Sequence, residues 1–280
     1  MPPSFQYHRS AVGEDARVRT QPLPAFEIRQ ALYQGTHTQI WEAFDRAQRR
    51  KVALKVLMPH ALQTEALRQS FRREAALLEK LRHRYVLETY ASFDSDRRCF
   101  IALEYMHGNL YTLRQSALRA QEIIRLMGRV LSVLAYCHSL GIAHRDVKPS
   151  NILVRKDPDG WVLKLADFDA AITFNLEGIA LLTEADRVKP GTISFWPPEK
   201  QARYQALMAS ADRDWKIDSL STEICDDIYA TALSLKKLLA SRVSQVPGLD
   251  QLLAQALHDR PEERFSSALA FKRALLALID

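Results

Sequence analysis

The stretch His-Arg-Asp-Val-Lys-Pro-Ser-Asn at residues 144–151, followed by Ala-Asp-Phe-Asp at 166–169, decides the fold of this chain. Short apolar-rich runs lie between them, at 152–155 and 161–165, and Asp-Pro-Asp-Gly separates these runs. Pro and Gly between two such runs are typical of a turn that joins two strands. The sequence therefore predicts a β-hairpin between the two polar stretches.

The predicted hairpin would bring three oxygen-bearing side chains together. Asn151 and Asp167 flank its open end, and Asp146 lies in the loop just before it. Mg²⁺ prefers a few carboxylate or amide oxygens together with substrate phosphates. A solvated loop is the simpler interpretation of one isolated Asp, but the whole pattern favours a metal–nucleotide site beside an acceptor hydroxyl.

Length and composition indicate a globular protein. The chain has 280 residues, 47% of them hydrophobic, so it can bury a core in one large domain or two lobes. A formal charge of +6 without a recognition motif is compatible with an anionic nucleotide or an acidic partner, and we expect no nucleic acid. Three scattered cysteines and the lack of a long apolar run predict a cytoplasmic protein with no membrane partner.

A lysine lies on an apolar strand in the amino-terminal half. Candidate strands occupy residues 26–32, 39–45 and 51–57. In the third strand, Lys55 shares a face with one small and one apolar residue. Its ammonium could reach water past these neighbours, and this structural alternative is open for a lysine considered alone.

A helix predicted over residues 63–82 offers this lysine a partner. Its packing stripe, at spacings of four and three, consists of Leu67, Phe71, Glu74, Leu78 and Leu81. Because an unpaired buried carboxylate is costly, Glu74 needs a cation, and Lys55 is the natural one. The alternative is that Glu74 lies at the wet edge of the stripe.

Together these residues resemble the protein kinases, especially bacterial-type Ser/Thr kinases, from about residue 26 to the end of the chain. Val-Ala-Leu-Lys at 52–55 is similar to the family's lysine strand, and residues 144–151 are similar to its catalytic loop. Asp167-Phe168 resembles the metal-binding pair. Arg264 matches an arginine that pairs with Glu199 at the end of the activation segment.

The resemblance implies an α+β, two-lobed fold with nucleotide bound in the cleft between the lobes. After an extension at 1–25, a small antiparallel sheet and the Glu74 helix would form the N-lobe at 26–106. The mainly helical C-lobe would occupy 107–280. It would include a long helix within 114–140 and an apolar helix at 228–239. The first of these has a packing stripe consisting of Ile123, Met127, Val130, Leu134 and Cys137.

The implied activity is phosphoryl transfer from ATP to Ser or Thr hydroxyls of protein substrates. Asp146 would orient the acceptor hydroxyl and take its proton, while Lys148 would neutralise charge on the γ-phosphate. Asn151 and Asp167 would bind Mg²⁺. Lysine at 148 is typical of Ser/Thr-directed members rather than Tyr-directed ones.

The resemblance also assigns nucleotide contacts. Lys55, held by Glu74, would contact the α- and β-phosphates. Leu103 would be the gatekeeper, and the backbones of Glu104 and Met106 would bond the adenine. The remaining contacts would come from Gly35, Ile40, Ala53 and Leu153.

Several residues near the catalytic loop have expected structural or regulatory roles. Arg145 resembles the arginine of members regulated by activation-segment phosphorylation, with Thr173 and Thr183 as candidate sites. Thr192 is expected to have a structural role near Asp146. His144 is expected to be structural rather than a base, and His138, near the end of the long helix, to pack or cap.

Four departures from the family pattern concern the glycine loop, the metal-binding segment and the region after Glu199. Tyr33 and Thr38 replace the outer glycines around Gly35. Asp169 replaces the glycine of D-F-G, and a non-Gly residue resists a positive φ. About 28 residues separate Glu199 from the apolar helix, and little room follows that helix for a substrate-docking helix.

Two alternatives stay open at this point. A pseudokinase that binds nucleotide as a scaffold is favoured by the lost glycines, whereas the retained Lys55, Glu74, Asp146, Asn151 and Asp167 argue against it. A kinase-fold enzyme that phosphorylates a small molecule or lipopolysaccharide sugar is favoured by Asp-Phe-Asp at 167–169. Lys148 and Arg264 favour a protein kinase instead.

Overall fold

The computed structural model describes residues 26–113, 118–181, 191–210 and 217–280, which fall into two compact units. The first comprises the described chain up to Lys80 together with Leu87–Gly108, and the second comprises Leu81–Val86 with Asn109–Asp280. None of the helices in these ranges combines the length and apolarity that crossing a bilayer requires. The domain limits predicted after residues 25 and 106 stay predictions.

The first unit is a five-stranded antiparallel sheet with two helices. Its elements are β1 (Phe26–Gln34), β2 (Thr38–Asp45), β3 (Arg50–Leu57), α1 (Pro59–Leu62), α2 (Glu65–Lys80), β4 (Thr89–Ser95) and β5 (Arg98–Glu104). The strand order in the sheet is β1-β2-β3-β5-β4. The three strands and the helix predicted in this region are present, with ends that differ by at most two residues.

Alternation along β3 decides which side chains reach each face of this sheet. Val52, Leu54 and Val56 pack on one face with apolar residues of β2 and β5. Successive strand residues point to opposite faces, so Lys55 lies on the other face. Helix α2 contacts β4 and β5, and its buried positions include Phe71 and Glu74.

The chain passes to the second unit at β6 (Gly108–Asn109). The described helices of that unit are α3 (Leu110–Leu113), α4 (Ala120–Ser139), α5 (Pro198–Ala209), α6 (Leu220–Leu239), α7 (Leu249–Ala256) and α8 (Ala268–Leu276). Its short strands are β7 (Ile142–Ala143), β8 (Ile152–Asp157), β9 (Gly160–Leu165) and β10 (Ile172–Thr173). The small sheet of the first unit and the helices of the second agree with the predicted α+β class.

Helix α4 is the buried centre of the second unit, and it contacts α6 and α8. All five members of its predicted stripe are buried, at 1% exposure or less. The predicted hairpin is present as the antiparallel pair β8 and β9. Local apolar spacing was therefore sufficient to place both elements.

The prediction for α6 was wrong at its start. The apolar run suggested a helix from Ile228, but the helix begins at Leu220, after Ser219. The Ser219 hydroxyl accepts the N–H of Thr222 at 3.4 Å. Glu223, Asp226 and Asp227 interrupt the apolar pattern although all three are buried. Cations and hydrogen-bond donors outside the helix compensate these buried carboxylates.

Candidate active site

Three donors hold the carboxylate of Asp146, which is 6% exposed. Lys148 Nζ lies 2.6 Å from Asp146 Oδ2, and Asn151 Nδ2 donates to the same oxygen at 3.0 Å. The N–H of Thr192 donates to Oδ1 at 2.8 Å. Lys148 Nζ also donates to the Thr192 hydroxyl at 2.6 Å. The predicted placement of Thr192 near Asp146 is confirmed, and these contacts fix the orientation of the carboxylate.

Asp227 of α6 anchors the loop that carries Asp146. Its carboxylate accepts the backbone N–H of His144 at 2.8 Å and that of Arg145 at 2.7 Å. His138 Nε2 lies 3.0 Å from the same side chain, and the expected packing or capping role of His138 stays a prediction. Burial would raise the pKa of Asp227, but the hydrogen bonds and charges of His138 and His144 lower it below its ordinary value.

His144 occupies a structural position, as predicted. Its ring is fully buried, lies 4.6 Å from the ring of Phe168 and has Nε2 at 3.2 Å from the carbonyl oxygen of Ala166. These contacts connect the catalytic loop to the segment that carries Asp167. The imidazole is thus committed to packing rather than exposed to a substrate.

The open end of the hairpin brings Asn151 and the Asp167 segment together. The N–H of Ala166, one residue before Asp167, donates to the carbonyl of Asn151 at 3.0 Å. Because Nδ2 of Asn151 donates to Asp146, its carboxamide oxygen is the atom left to accept or to ligate. An amide oxygen beside a carboxylate is a donor set that fits Mg²⁺.

The left-handed backbone in this segment is at Asp167, not at Asp169. Asp167 has φ of 66°, whereas Asp169 is not among the residues with positive φ. An aspartate tolerates a left-handed conformation better than most residues, since its short polar side chain bonds locally. The strain that the missing glycine at 169 suggested is therefore absent at that position.

Gly191 allows the segment before Thr192 to approach the catalytic loop. Its φ is +86°, and a Cβ at this position would lie 2.5 Å from the carbonyl oxygen of Arg145. Both the conformation and the space exclude a side chain. This approach is what places the N–H of Thr192 on Asp146.

Lys55 and Glu74 form the predicted ion pair in the first unit. Lys55 Nζ lies 2.6 Å and 2.8 Å from the two carboxylate oxygens of Glu74, and both side chains are buried. The pairing accounts for a carboxylate on the packing stripe of α2, since each charge compensates the other. The role of Lys55 toward phosphates stays a prediction.

The residues assigned to adenine lie on strand β5 or just after it. Leu103 on β5 is opposite Ala53 on β3, and both are buried. The N–H of Glu104 donates to the carbonyl of Glu88 at 2.8 Å, and Met106 is buried two residues later. The register thus places Ala53, Leu103 and Glu104 on neighbouring strands, while the contact of Leu103, Glu104 and Met106 with a base stays a prediction.

The other assigned nucleotide residues lie on or beside strands. Ile40 of β2 is opposite Lys55 in the register. Gly35 forms the turn between β1 and β2, where its N–H donates to the carbonyl of Thr38 at 2.9 Å. Leu153 is half-buried on β8, in the second unit. Their nucleotide contacts also stay predictions.

A buried charge cluster of Arg145, Lys200, Glu223 and Asp226 lies behind the catalytic loop and was missed from the sequence. Arg145 Nε donates to Glu223 Oε2 at 3.1 Å. Lys200 Nζ donates to Glu223 at 2.8 Å and to Asp226 at 2.6 Å. Burial, with the negative charge of Glu223, raises the pKa of Asp226 to about 6, although Lys200 opposes that rise. The cluster thus supplies cations for two of the three buried carboxylates of α6, Glu223 and Asp226.

The cluster changes what is expected of Arg145. Its side chain is 1% exposed and already faces a carboxylate, so it needs no phosphate to balance its charge. Of the two candidate regulatory sites, Thr173 lies on β10 opposite Ile142 of β7. Thr183 lies outside the described residues. Regulation by phosphorylation at either site stays a prediction.

Two further features of the second unit bear on the predictions. Arg264 makes a bidentate ion pair with Glu199, with N–O distances of 2.8 and 2.9 Å, which confirms the expected pairing. Among the described residues, one group of three carboxylates is close enough for a metal, namely Asp218, Glu223 and Asp226. Lys200 lies between two of them, so a protein cation fills that position.

Comparison with known proteins agrees with this geometry. Residues 26–215 match the family model for the protein kinase domain. Serine/threonine-protein kinase Aurora-1 of Arabidopsis thaliana is 30% identical over 233 residues, which cover 79% of this chain and 72% of that protein. Mouse Aurora kinase C is 29% identical, over 88% of this chain and 90% of that protein.

Bacterial kinases are also similar. Serine/threonine-protein kinase PksC of Streptomyces coelicolor is 26% identical over 88% of this chain, which spans 48% of PksC. The crystal structure of the Mycobacterium tuberculosis PknI kinase domain superposes with a TM-score of 0.63 at 21% identity, over 91% of this chain and 96% of that domain. The predicted fold and family are confirmed. The chain belongs to the protein kinase family, among relatives that are Ser/Thr protein kinases.

Proposed function

We propose that this chain transfers the γ-phosphate of Mg²⁺-bound ATP to Ser and Thr hydroxyls of protein substrates. Membership of the protein kinase family implies the use of ATP and protein acceptors. The names of the Arabidopsis and Streptomyces relatives support Ser and Thr as the acceptors. The geometry around Asp146 supports the proposal most strongly.

Asp146 is the proposed base, with Oδ1 as the atom that takes the proton. Oδ2 accepts from both Lys148 and Asn151, whereas Oδ1 accepts from the N–H of Thr192. Each carboxylate oxygen can accept about two hydrogen bonds, so Oδ1 keeps capacity for a substrate hydroxyl. A base must lie within hydrogen-bond reach of its proton and must not rotate away, and the three donors meet the second condition.

Lys148 is proposed to stabilise the transferred phosphoryl group. An ammonium has three N–H donors, and its contacts with Asp146 and Thr192 use two of them. The third is available for a phosphate oxygen on which charge develops during transfer. Because the same ammonium touches the base, the acceptor hydroxyl and the phosphoryl group would meet at Lys148.

Metal and nucleotide roles follow from the remaining residues. Asn151 and Asp167 are proposed to hold Mg²⁺, which would neutralise phosphate charge when bound. Lys55, fixed by Glu74, is proposed to contact the α- and β-phosphates. The adenine contacts are proposed at Leu103, Glu104 and Met106, and further nucleotide contacts at Gly35, Ile40, Ala53 and Leu153.

A transfer assay with γ-labelled ATP and a generic protein substrate tests the proposal. Asp146→Asn should lower the rate about 10²- to 10⁴-fold, because general-base catalysis contributes that much. Asp159→Asn makes the same chemical change in the exposed turn of the hairpin and should leave the rate unchanged.

The outcomes of this assay separate the alternatives. Label on protein that is lost in Asp146→Asn supports the proposal, and peptide mapping then reveals whether Thr173 or Thr183 is modified. ATP binding without transfer would indicate a scaffold. Transfer to a sugar but to no protein would indicate a small-molecule kinase.

A further inference from the structure

A cavity of about 480 Å³ lies in the second unit beside the Asp146 site. Pockets of roughly 300–1,000 Å³ are the size at which proteins enclose ligands. Its walls are formed by α3, the catalytic loop, the segment after Gly191 and the end of α6. The lining residues are Tyr111, Lys148, Pro149, Ser150, Thr192, Phe195, Lys237 and Leu238.

Two lining residues connect the cavity to the proposed reaction. Lys148 and Thr192 hold the Asp146 carboxylate, and both also face the cavity. A group bound in the cavity would thus lie within a few side-chain lengths of the acceptor hydroxyl. The acceptor itself needs only Asp146 and Lys148, so most of the cavity is available to neighbouring substrate residues.

The lining has a single sign of charge. It contains the ammonium groups of Lys148 and Lys237, and among its described residues there is no carboxylate. Lys148 is committed to Asp146 and Thr192. Lys237 is exposed at the end of α6, with Nζ 4.3 Å from the ring centre of Phe195. The aromatic face orients this ammonium without neutralising it.

The lining also contains neutral residues that can donate hydrogen bonds. Tyr111, Ser150 and Thr192 are lining residues whose side chains carry a hydroxyl. A carboxylate can accept hydrogen bonds from hydroxyls and from Lys237, whereas a lysine or arginine side chain would meet like charge. The formal charge of +6 on the whole chain also attracts negatively charged partners at long range.

We infer that this cavity selects protein substrates with an Asp or Glu side chain close to the phosphorylated Ser or Thr. The inference rests on the proposed function and deepens it, since it names a substrate class for the same site. Lys237 is the specificity-determining residue, because it is the charged lining residue that does not hold the base.

Peptide kinetics with the full chain and Mg²⁺-ATP test the inference. A neutral peptide with one serine is compared with peptides in which Asp or Lys replaces Ala at each of about six positions on either side. At the best position, Asp should raise kcat/KM roughly 1.5- to fivefold over Ala, and Lys should lower it, as expected for one exposed charge contact of about 0.2–1 kcal/mol. Lys237→Glu should reverse this order, so that the Lys peptide becomes the better substrate and the Asp peptide the poorer one.

Lys236→Glu is the matched control. It makes the same change in net charge one residue earlier, at an exposed position that does not line the cavity. Preserved acidic preference in this variant, with reversal in Lys237→Glu, supports the inference. Phosphorylation of the neutral peptide with no charge preference, or equal effects of both variants, overturns the inference alone. Failure on every peptide overturns the proposed function with it.

Discussion

Replacing Asp227 with Asn removes the anchor of the catalytic loop. The carboxylate is 1% exposed and accepts from the N–H groups of His144 and Arg145 and from His138. An asparagine keeps one acceptor oxygen but turns an NH₂ donor toward another donor. At least one buried N–H therefore loses its partner.

The expected cost follows from these contacts. A hydrogen bond to a charged group contributes about 1.5–3 kcal/mol, and a buried donor left unsatisfied costs about 1–3 kcal/mol. Asp227→Asn should thus lower the free energy of unfolding by about 3–5 kcal/mol. For a chain of this size, that corresponds to a fall in Tm of roughly 10 °C.

The effect of Asp227→Asn on kcat distinguishes a role in anchoring the catalytic loop from a role in stability alone. Because the released N–H groups belong to residues 144 and 145, kcat should fall at a temperature where the variant is fully folded, while KM for ATP changes little. Urea unfolding and steady-state kinetics measure both effects, with Asp250→Asn as an exposed control on α7. A variant with wild-type unfolding and wild-type kcat would refute the anchoring role of Asp227.

Two further predictions concern the segment before Thr192 and the buried cluster. Gly191→Ala should lower kcat at least about tenfold, because its Cβ would meet the Arg145 carbonyl at 2.5 Å, whereas Gly178→Ala has a similar positive φ but open space and should not. Equal kcat in both variants would contradict the close approach. For Asp226, whose pKa is raised to about 6, the folded state binds more protons than the unfolded state between pH 4 and 6. The free energy of unfolding of wild type relative to Asp226→Asn should therefore fall as the pH rises from about 4 to about 6, and a rise measured by urea unfolding would contradict it.

Much of the fold could be predicted because its signals are local. The hairpin, the strands of the first unit and the stripe of α4 depend on spacings of two to four residues and on turn-forming residues. The pair of Lys55 and Glu74 was also accessible, since a lone carboxylate on a packing stripe requires a cation nearby.

The anchors behind the catalytic loop could not be predicted in the same way. Arg145 and Glu223 are 78 residues apart, and His144 and Asp227 are 83 residues apart, so no local spacing connects them. Glu223, Asp226 and Asp227 also interrupt the apolar pattern in the first part of α6, so the sequence there is similar to that of a polar connection. The rule that identified Glu74 applies to Asp227 as well, because Asp227 is directly followed by an apolar helical run. Its partners, however, include backbone N–H groups. Every residue except proline has such a group, so the sequence does not indicate which ones Asp227 binds.

Helix α6 connects the base to the proposed substrate cavity. Its carboxylates hold the catalytic loop through Asp227 and the side chain of Arg145 through Glu223, and Lys237 lies near its other end. A helix rises about 1.5 Å per residue, so the ten residues from Asp227 to Lys237 span about 15 Å along a rigid axis. An extended peptide covers that length in about four to five residues. The favoured acidic side chain should therefore lie within about four residues of the acceptor, and a preference at greater separation would show that Lys237 does not act through this cavity.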